Sequence, residues 1–225
     1  MVPSTQTAVD FDRAMMERCI ALAIQAVDLG EYPYAAVVCR NGEVVCESIN
    51  SVREDHDVTH HAEVVALRHA LGRLRRASLE DCTIYANTEP CALCSYAMRE
   101  TRIGRVVFGI PAPLTGGLSR WNILADAELS NTLPEVFAPP PEIVAGFMRE
   151  QAEAAIASRT PLVWNFIRAR NILAACYPLI SSRNCQSVAR SVFKTVGCPF
   201  SSPDIRPFGP QVRLEHQRTA SILSK

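Results

Sequence analysis

The chain reads as an α/β layered domain, and three observations say so. Apolar residues recur at helical spacing in four separate stretches. Short runs rich in Val and Ile stand between them, each too brief for a helix. An Asn41-Gly42 pair divides two of those runs, as a type I′ hairpin turn requires. The resulting order is helix, hairpin, helix, strand, helix, strand, helix, and such alternation packs helices onto the faces of one sheet.

The first helix is predicted over Asp10–Leu29, with Met15, Cys19, Leu22, Ala23, Ala26 and Leu29 as its apolar stripe. Asp10 is placed to cap its start, and Gly30 to end it in a left-handed turn. The hairpin pairs Ala35–Arg40 with Glu43–Ile49 and ends at Asn50. A polar, aperiodic stretch from Ser51 leads to a second helix over His60–Arg75, capped by Thr59 and buried through Val64, Val65, Leu67, Leu71 and Leu74. Cys82–Asn87 is a third strand, and Arg105–Gly109 a fourth. Between them Cys91–Glu100 is a third helix, with Pro90 at its start, where a missing N–H costs nothing. Ile110–Pro141 is rich in Pro and Gly and is read as a long loop, a feature that is usually functional. Pro141–Ser158 is read as a fourth helix and Leu162–Arg170 as a short extra element.

The 225 residues suffice for one full domain with some excess. Composition divides the chain into a catalytic-size domain, 1–170, and a basic, Ser- and Pro-rich extension, 171–225, expected to be poorly packed. That extension carries seven Lys and Arg against two acids, a net charge of +5. With a whole-chain charge of zero, residues 1–170 hold −5, which argues against a polyanionic partner and makes nucleic acid an unlikely one. Nine cysteines, an odd number without a disulfide framework, point to a reducing, cytoplasmic setting. The N-terminus has neither a basic start nor an apolar run, and no stretch is long enough to span a membrane.

Two motifs carry chemistry. His61-Ala62-Glu63 opens the second helix, and Pro90-Cys91-Ala92-Leu93-Cys94 opens the third. One imidazole and two thiols suit Zn²⁺ and leave a fourth tetrahedral position for water. Cys91 and Cys94 share a helix face at i, i+3, at the end of the dipole that favours thiolates. Glu63, a lone carboxylate two residues from the histidine, is placed to move protons between water and a substrate. A closed, purely structural site would need a fourth donor, for which Cys82 and His60 are the near candidates.

H-x-E with P-C-x-x-C is the signature of the zinc-dependent nucleobase deaminases. From Met15 to Val107 the chain resembles the cytidine deaminase-like superfamily, and most of all guanine deaminases and bacterial tRNA adenosine deaminases. Asn50, Asp57-Val58-Thr59-His60 before the first motif, and Thr88-Glu89-Pro90-Cys91 add to the likeness. The resemblance implies a three-layer α/β/α fold with a mixed five-stranded sheet, and zinc held between two helix N-termini by His61, Cys91 and Cys94. It implies hydrolytic release of ammonia from a heterocycle, with Glu63 as general acid and base, and a homodimer. Asn50 is expected to bond the substrate ring and the Ala62 N–H to contact a ring carbonyl. Trp121 and Trp164 are candidates to stack on a planar base.

A small free heterocycle is the expected substrate, guanine first among bases, because Ile110–Asn131 lacks basic residues apart from Arg120. Ala35 also departs from the family, which usually has glycine there. A tRNA-specific adenosine deaminase is the first alternative. A non-catalytic, zinc-stabilised interaction module is the second, and the presence of Glu63 argues against it.

Overall fold

The computed structural model describes residues 5–173. Five strands form one mixed sheet: β1 (Ala35–Arg40), β2 (Glu43–Ile49), β3 (Cys82–Thr88), β4 (Arg105–Ile110) and β5 (Glu142–Ala145). Their spatial order is β2-β1-β3-β4-β5. β1 runs antiparallel to β2 and β3, whereas β3, β4 and β5 are parallel. The hairpin turns at Asn41 and Gly42, both with positive φ (52° and 79°), as a type I′ turn demands.

Period-two alternation along the central strands divides the core into two faces. Ala36, Val38, Ile84, Ala86, Val106 and Phe108 meet helices α2 (Ala62–Leu74) and α3 (Ala92–Glu100). Ala35, Val37, Cys39, Tyr85 and Val107 meet α1 (Thr5–Asp28). A short α4 (Ala127–Thr132) lies within the long loop. α5 (Arg149–Arg159) and α6 (Pro161–Ala169) pack together through Ile156, Trp164 and Ile167, and Leu173 joins that cluster. The architecture is the three-layer α/β/α arrangement. Among the described residues no helix is long and apolar enough to cross a membrane.

Several boundaries differ from the sequence reading. α1 begins at Thr5, so Asp10 does not cap it; its carboxylate instead accepts a hydrogen bond from Gln6 one turn earlier. The stripe it buries is Met16, Cys19, Ala23 and Ala26, and Leu29 is exposed. Gly30 does end the helix with φ 83°. α2 begins at Ala62 with His61, not Thr59, as its N-cap. Its deepest positions are Ala62, Ala66, Leu67 and Ala70, because small side chains let the helix lie close to the sheet.

The largest correction concerns Pro141–Ser158, which is a strand followed by a helix. β5 occupies only four residues, and the β-branched pair Ile143-Val144 was submerged in a longer helical average. Gly146 and Met148, both with positive φ, separate it from α5. The extension predicted from residue 171 lies outside the described residues apart from 171–173.

Candidate metal centre and active site

Strand register gathers the site at one end of the sheet. Ala35 pairs with Ile49, and Ala36 pairs with both Ser48 and Ala86. Tyr34, Asn50 and the Thr88–Cys91 segment therefore emerge side by side, beyond the carboxyl ends of the parallel strands, where α/β sheets place ligands. Asn87 ties this edge together. Its side-chain oxygen accepts from the Ala35 N–H at 2.9 Å, and its amide donates to the Pro33 carbonyl at 2.9 Å.

His61 is the N-cap of α2 and Cys91 the N-cap of α3. Both have extended backbone, which frees their side chains to lean over the helix ends, and neither side chain makes a capping bond. Cys94 lies in the first turn of α3 and is fully buried. The His61 Nδ1 atom is 3.5 Å from the Cys91 sulfur and 3.4 Å from the Cys94 sulfur, and the sulfurs are 3.6 Å apart. Around a tetrahedral zinc ion, sulfurs are expected about 3.8 Å apart and sulfur and nitrogen about 3.5 Å apart. The three donors thus already stand at zinc spacing.

The electrostatics agree. A hydrogen bond from Cys94 and another from His61 outweigh burial and pull the Cys91 thiol down to about 4. The same contact with Cys91 holds the His61 imidazole above its ordinary value. Cys94 is pushed up, since a second thiolate beside the first is disfavoured in a dry site. A divalent cation removes that conflict by replacing the shared protons.

Glu63 is only 6% exposed and lies within electrostatic reach of Cys91, Cys94 and His61. Burial first, and then the Cys91 charge, raise its carboxyl to about 7. A side chain poised between its two protonation states near neutrality suits proton transfer in both directions. Cys82 and His60 do not join the cluster: Cys82 contacts Arg76 and Asp81, and His60 Nδ1 faces Asp55 at 2.7 Å. Among the described residues, His61, Cys91 and Cys94 are the group positioned to hold a metal ion.

The expected substrate contacts are placed as follows. Asn50 is buried, and its side-chain oxygen accepts from the Val52 N–H at 3.2 Å, a turn-stabilising bond. Ala62 opens α2, so its N–H belongs to the turn whose N–H groups lack partners within the helix. Trp121 is 55% exposed, with the Arg120 guanidinium 5.3 Å from its ring. Trp164 is buried in the α5–α6 core and is no stacking surface.

Two residues escaped the sequence reading. The Tyr34 phenol lies within electrostatic reach of the site: burial and the charges of Glu63, Tyr32 and Cys91 push it up to about 12. It precedes a strand without periodicity, so only register reveals it. Glu89 is the other. It is 4% exposed, and its carboxylate gathers the irregular chain after β4. The sequence signal was the buried-strand context of Thr88-Glu89-Pro90, where a charge needs a partner.

A profile of the cytidine and deoxycytidylate deaminase zinc-binding region matches residues 9–110. A tRNA-specific adenosine deaminase of Aquifex aeolicus is 37% identical over 118 residues, which are 52% of this chain and 78% of that protein. A probable cytosine deaminase of Schizosaccharomyces pombe is 30% identical over 151 residues, 63% of this chain and 87% of that protein. A solved structure from a study of A-to-I editing by tRNA:A34 deaminases is 28% identical, with a TM-score of 0.57, over 64% of this chain and 99% of that one.

Proposed function

From the membership of this chain in the cytidine and deoxycytidylate deaminase zinc-binding family, we propose that it is a hydrolytic deaminase acting on adenosine within tRNA. The family's enzymes are zinc hydrolases of C–N bonds, and this chain has their ligands and their acid. One observation carries the tRNA substrate: the Aquifex enzyme and the solved A34-editing relative are matched over most of their own length. Guanine, the base ranked first from sequence, receives no support from the relatives described above.

Zn²⁺, when bound by His61, Cys91 and Cys94, supplies an open position at which water becomes acidic near neutrality. Glu63 accepts a proton from the attacking water. It passes that proton to the ring nitrogen next to the reacting carbon, and then assists the amino group's departure as ammonia. The products are a ring carbonyl and NH₃. Burial of Glu63 keeps bulk water from competing for the proton. Asn50, Ala62 and Trp121 are proposed to orient the base.

Charge favours a second reading, a free base or nucleoside. Residues 1–170 are net acidic, and several arginines are committed to carboxylates: Arg18 to Glu47, Arg40 and Arg76 to Asp81, and Arg105 to Asp12. Under the tRNA reading the basic extension supplies the missing charge. Inosine formation in tRNA, set against ammonia release from cytosine, guanine, adenine and their nucleosides, decides between the two. Activity on any free base with none on tRNA overturns the proposal. Replacing Arg183, Arg190, Arg206, Arg213 and Arg218 by Gln in the full chain should weaken tRNA binding and leave a free-base activity intact. A homodimer and a cytoplasmic setting complete the reading. Exposed Leu93 and Tyr96 on α3 offer an apolar face for a second copy, which sedimentation would reveal. The described cysteines, all free thiols, suit a reducing compartment.

A further inference from the structure

We propose that Glu89 is a positioning residue that welds the loop over residues 112–119 to the metal ligand Cys91, so that metal affinity depends on a carboxylate that touches no metal. The contacts are dense. One Glu89 oxygen accepts from the Leu118 N–H at 3.1 Å and the Ser119 N–H at 2.7 Å. The other accepts from the Ala112 N–H at 2.7 Å and the Ser119 hydroxyl at 2.9 Å. Four donors around one buried carboxylate satisfy its charge without a cation, as burial demands.

The same loop grips the ligand segment through its backbone. Gly116 bridges to Cys91, and the Gly117 N–H donates to the Pro90 carbonyl at 2.8 Å. The Glu89 N–H donates in turn to the Ile110 carbonyl at 2.8 Å. The fit leaves no room for side chains: a Cβ at Gly116 would collide with the Glu89 carboxylate, and one at Gly117 with the Ser95 hydroxyl. Cys91 therefore has its backbone held by a loop that Glu89 organises, and it is a helix N-cap whose side chain makes no capping bond. Outer residues that hold a metal ligand in place typically matter by 10-fold to 100-fold, an order-of-magnitude range, in affinity or activity.

The inference concerns the metal and not the base, so it stands or falls independently of the tRNA reading. Glu89→Gln keeps the shape but turns an amide N–H toward a backbone N–H. Zinc affinity of the full chain, measured against a competing chelator, is expected to fall on the order of 10-fold or more, with a changed thiolate-to-metal absorption band in the Co²⁺-loaded protein. Ser119→Ala, which removes one of the four donors together with a longer contact to the Ala112 carbonyl, should move both readouts the same way by less. It also serves if Glu89→Gln does not fold. Arg99→Met is the control, since Arg99 holds a more distant part of the same loop. The proposal is overturned if Glu89→Gln, or Ser119→Ala in its place, leaves affinity and spectrum as in the parent. It is equally overturned if Arg99→Met lowers affinity as much as the Glu89 variant, for then the effect is one of general stability.

Discussion

Residues 35–110 and residues 110–141 are held by different forces. The first region is strands and helices whose apolar side chains interdigitate, with Ala36, Val38, Ile84 and Phe108 on one face and Val37, Tyr85 and Val107 on the other. The second buries a few apolar side chains, Ala112, Leu124 and Phe137 among them, but most of its large apolar residues stay at least partly exposed. It is gripped by two buried charges near the ends of α3. Glu89, before the helix, collects backbone N–H groups of residues 112–119. Arg99, in the last turn, collects carbonyls: Ile123 at 2.7 Å, Asp126 at 2.8 Å and Ala138 at 3.1 Å, with the Ser130 hydroxyl as a further acceptor. Opposite charges take opposite halves of the peptide group. An irregular segment that pairs part of its backbone with itself in turns has further backbone groups satisfied by these two side chains, and it is fastened to the helix that carries Cys91 and Cys94.

The comparison can be broken experimentally. The greatest effect is expected at the site both regions serve: Glu63→Gln should cost about 10²–10⁴-fold in turnover with zinc content unchanged, read by ammonia release and metal analysis. Undiminished turnover would leave the proton shuttle without a carrier. Arg99→Met should destabilise the fold by about 2–4 kcal/mol, because it orphans several buried carbonyls at about 1–3 kcal/mol each, less what water recovers. Urea denaturation gives the number. A loss matching a surface arginine would mean that the irregular region is not clamped.

Trp121→Ala tests whether that region also reads substrate. Loss of one stacked base is worth about 1–3 kcal/mol, expected in KM with kcat held. An unchanged KM returns Trp121 to the surface.

The smallest effect, about 1–2 kcal/mol, belongs to the sheet. Burial alone would raise the Asp12 carboxyl, but hydrogen bonds from Arg105 and Tyr85 and the Arg105 charge hold it below its usual 3.8. Arg105 reaches both Asp12 oxygens, at 2.8 and 2.7 Å. A lowered carboxyl contributes stability above the unfolded value and loses it as pH falls through the folded one. Asp12→Asn should therefore reduce stability at pH 7 and flatten the loss below about pH 4. A variant with the parent's acid limb would exclude this pair as its source.

What the sequence determined by itself was local and periodic. The hairpin bounds, the Asn41-Gly42 turn, β3 and β4 within a residue, and the gathering of His61, Cys91 and Cys94 at a spacing that could hold a metal all follow from spacing and short motifs. Such features are encoded within a few residues of themselves. Tertiary structure decided the rest. β5 has four residues and becomes a strand because β4 offers it an edge. The N-cap of α2 is His61 and not Thr59, whose N–H and hydroxyl are both taken by the Asp57 carboxylate. Glu89 and Arg99 took partners 23 to 39 residues distant, which no window along the chain can foresee. Periodicity reports which face of an element is apolar. It does not report which buried charge will meet which unpaired backbone group, because that pairing exists only once the elements are packed.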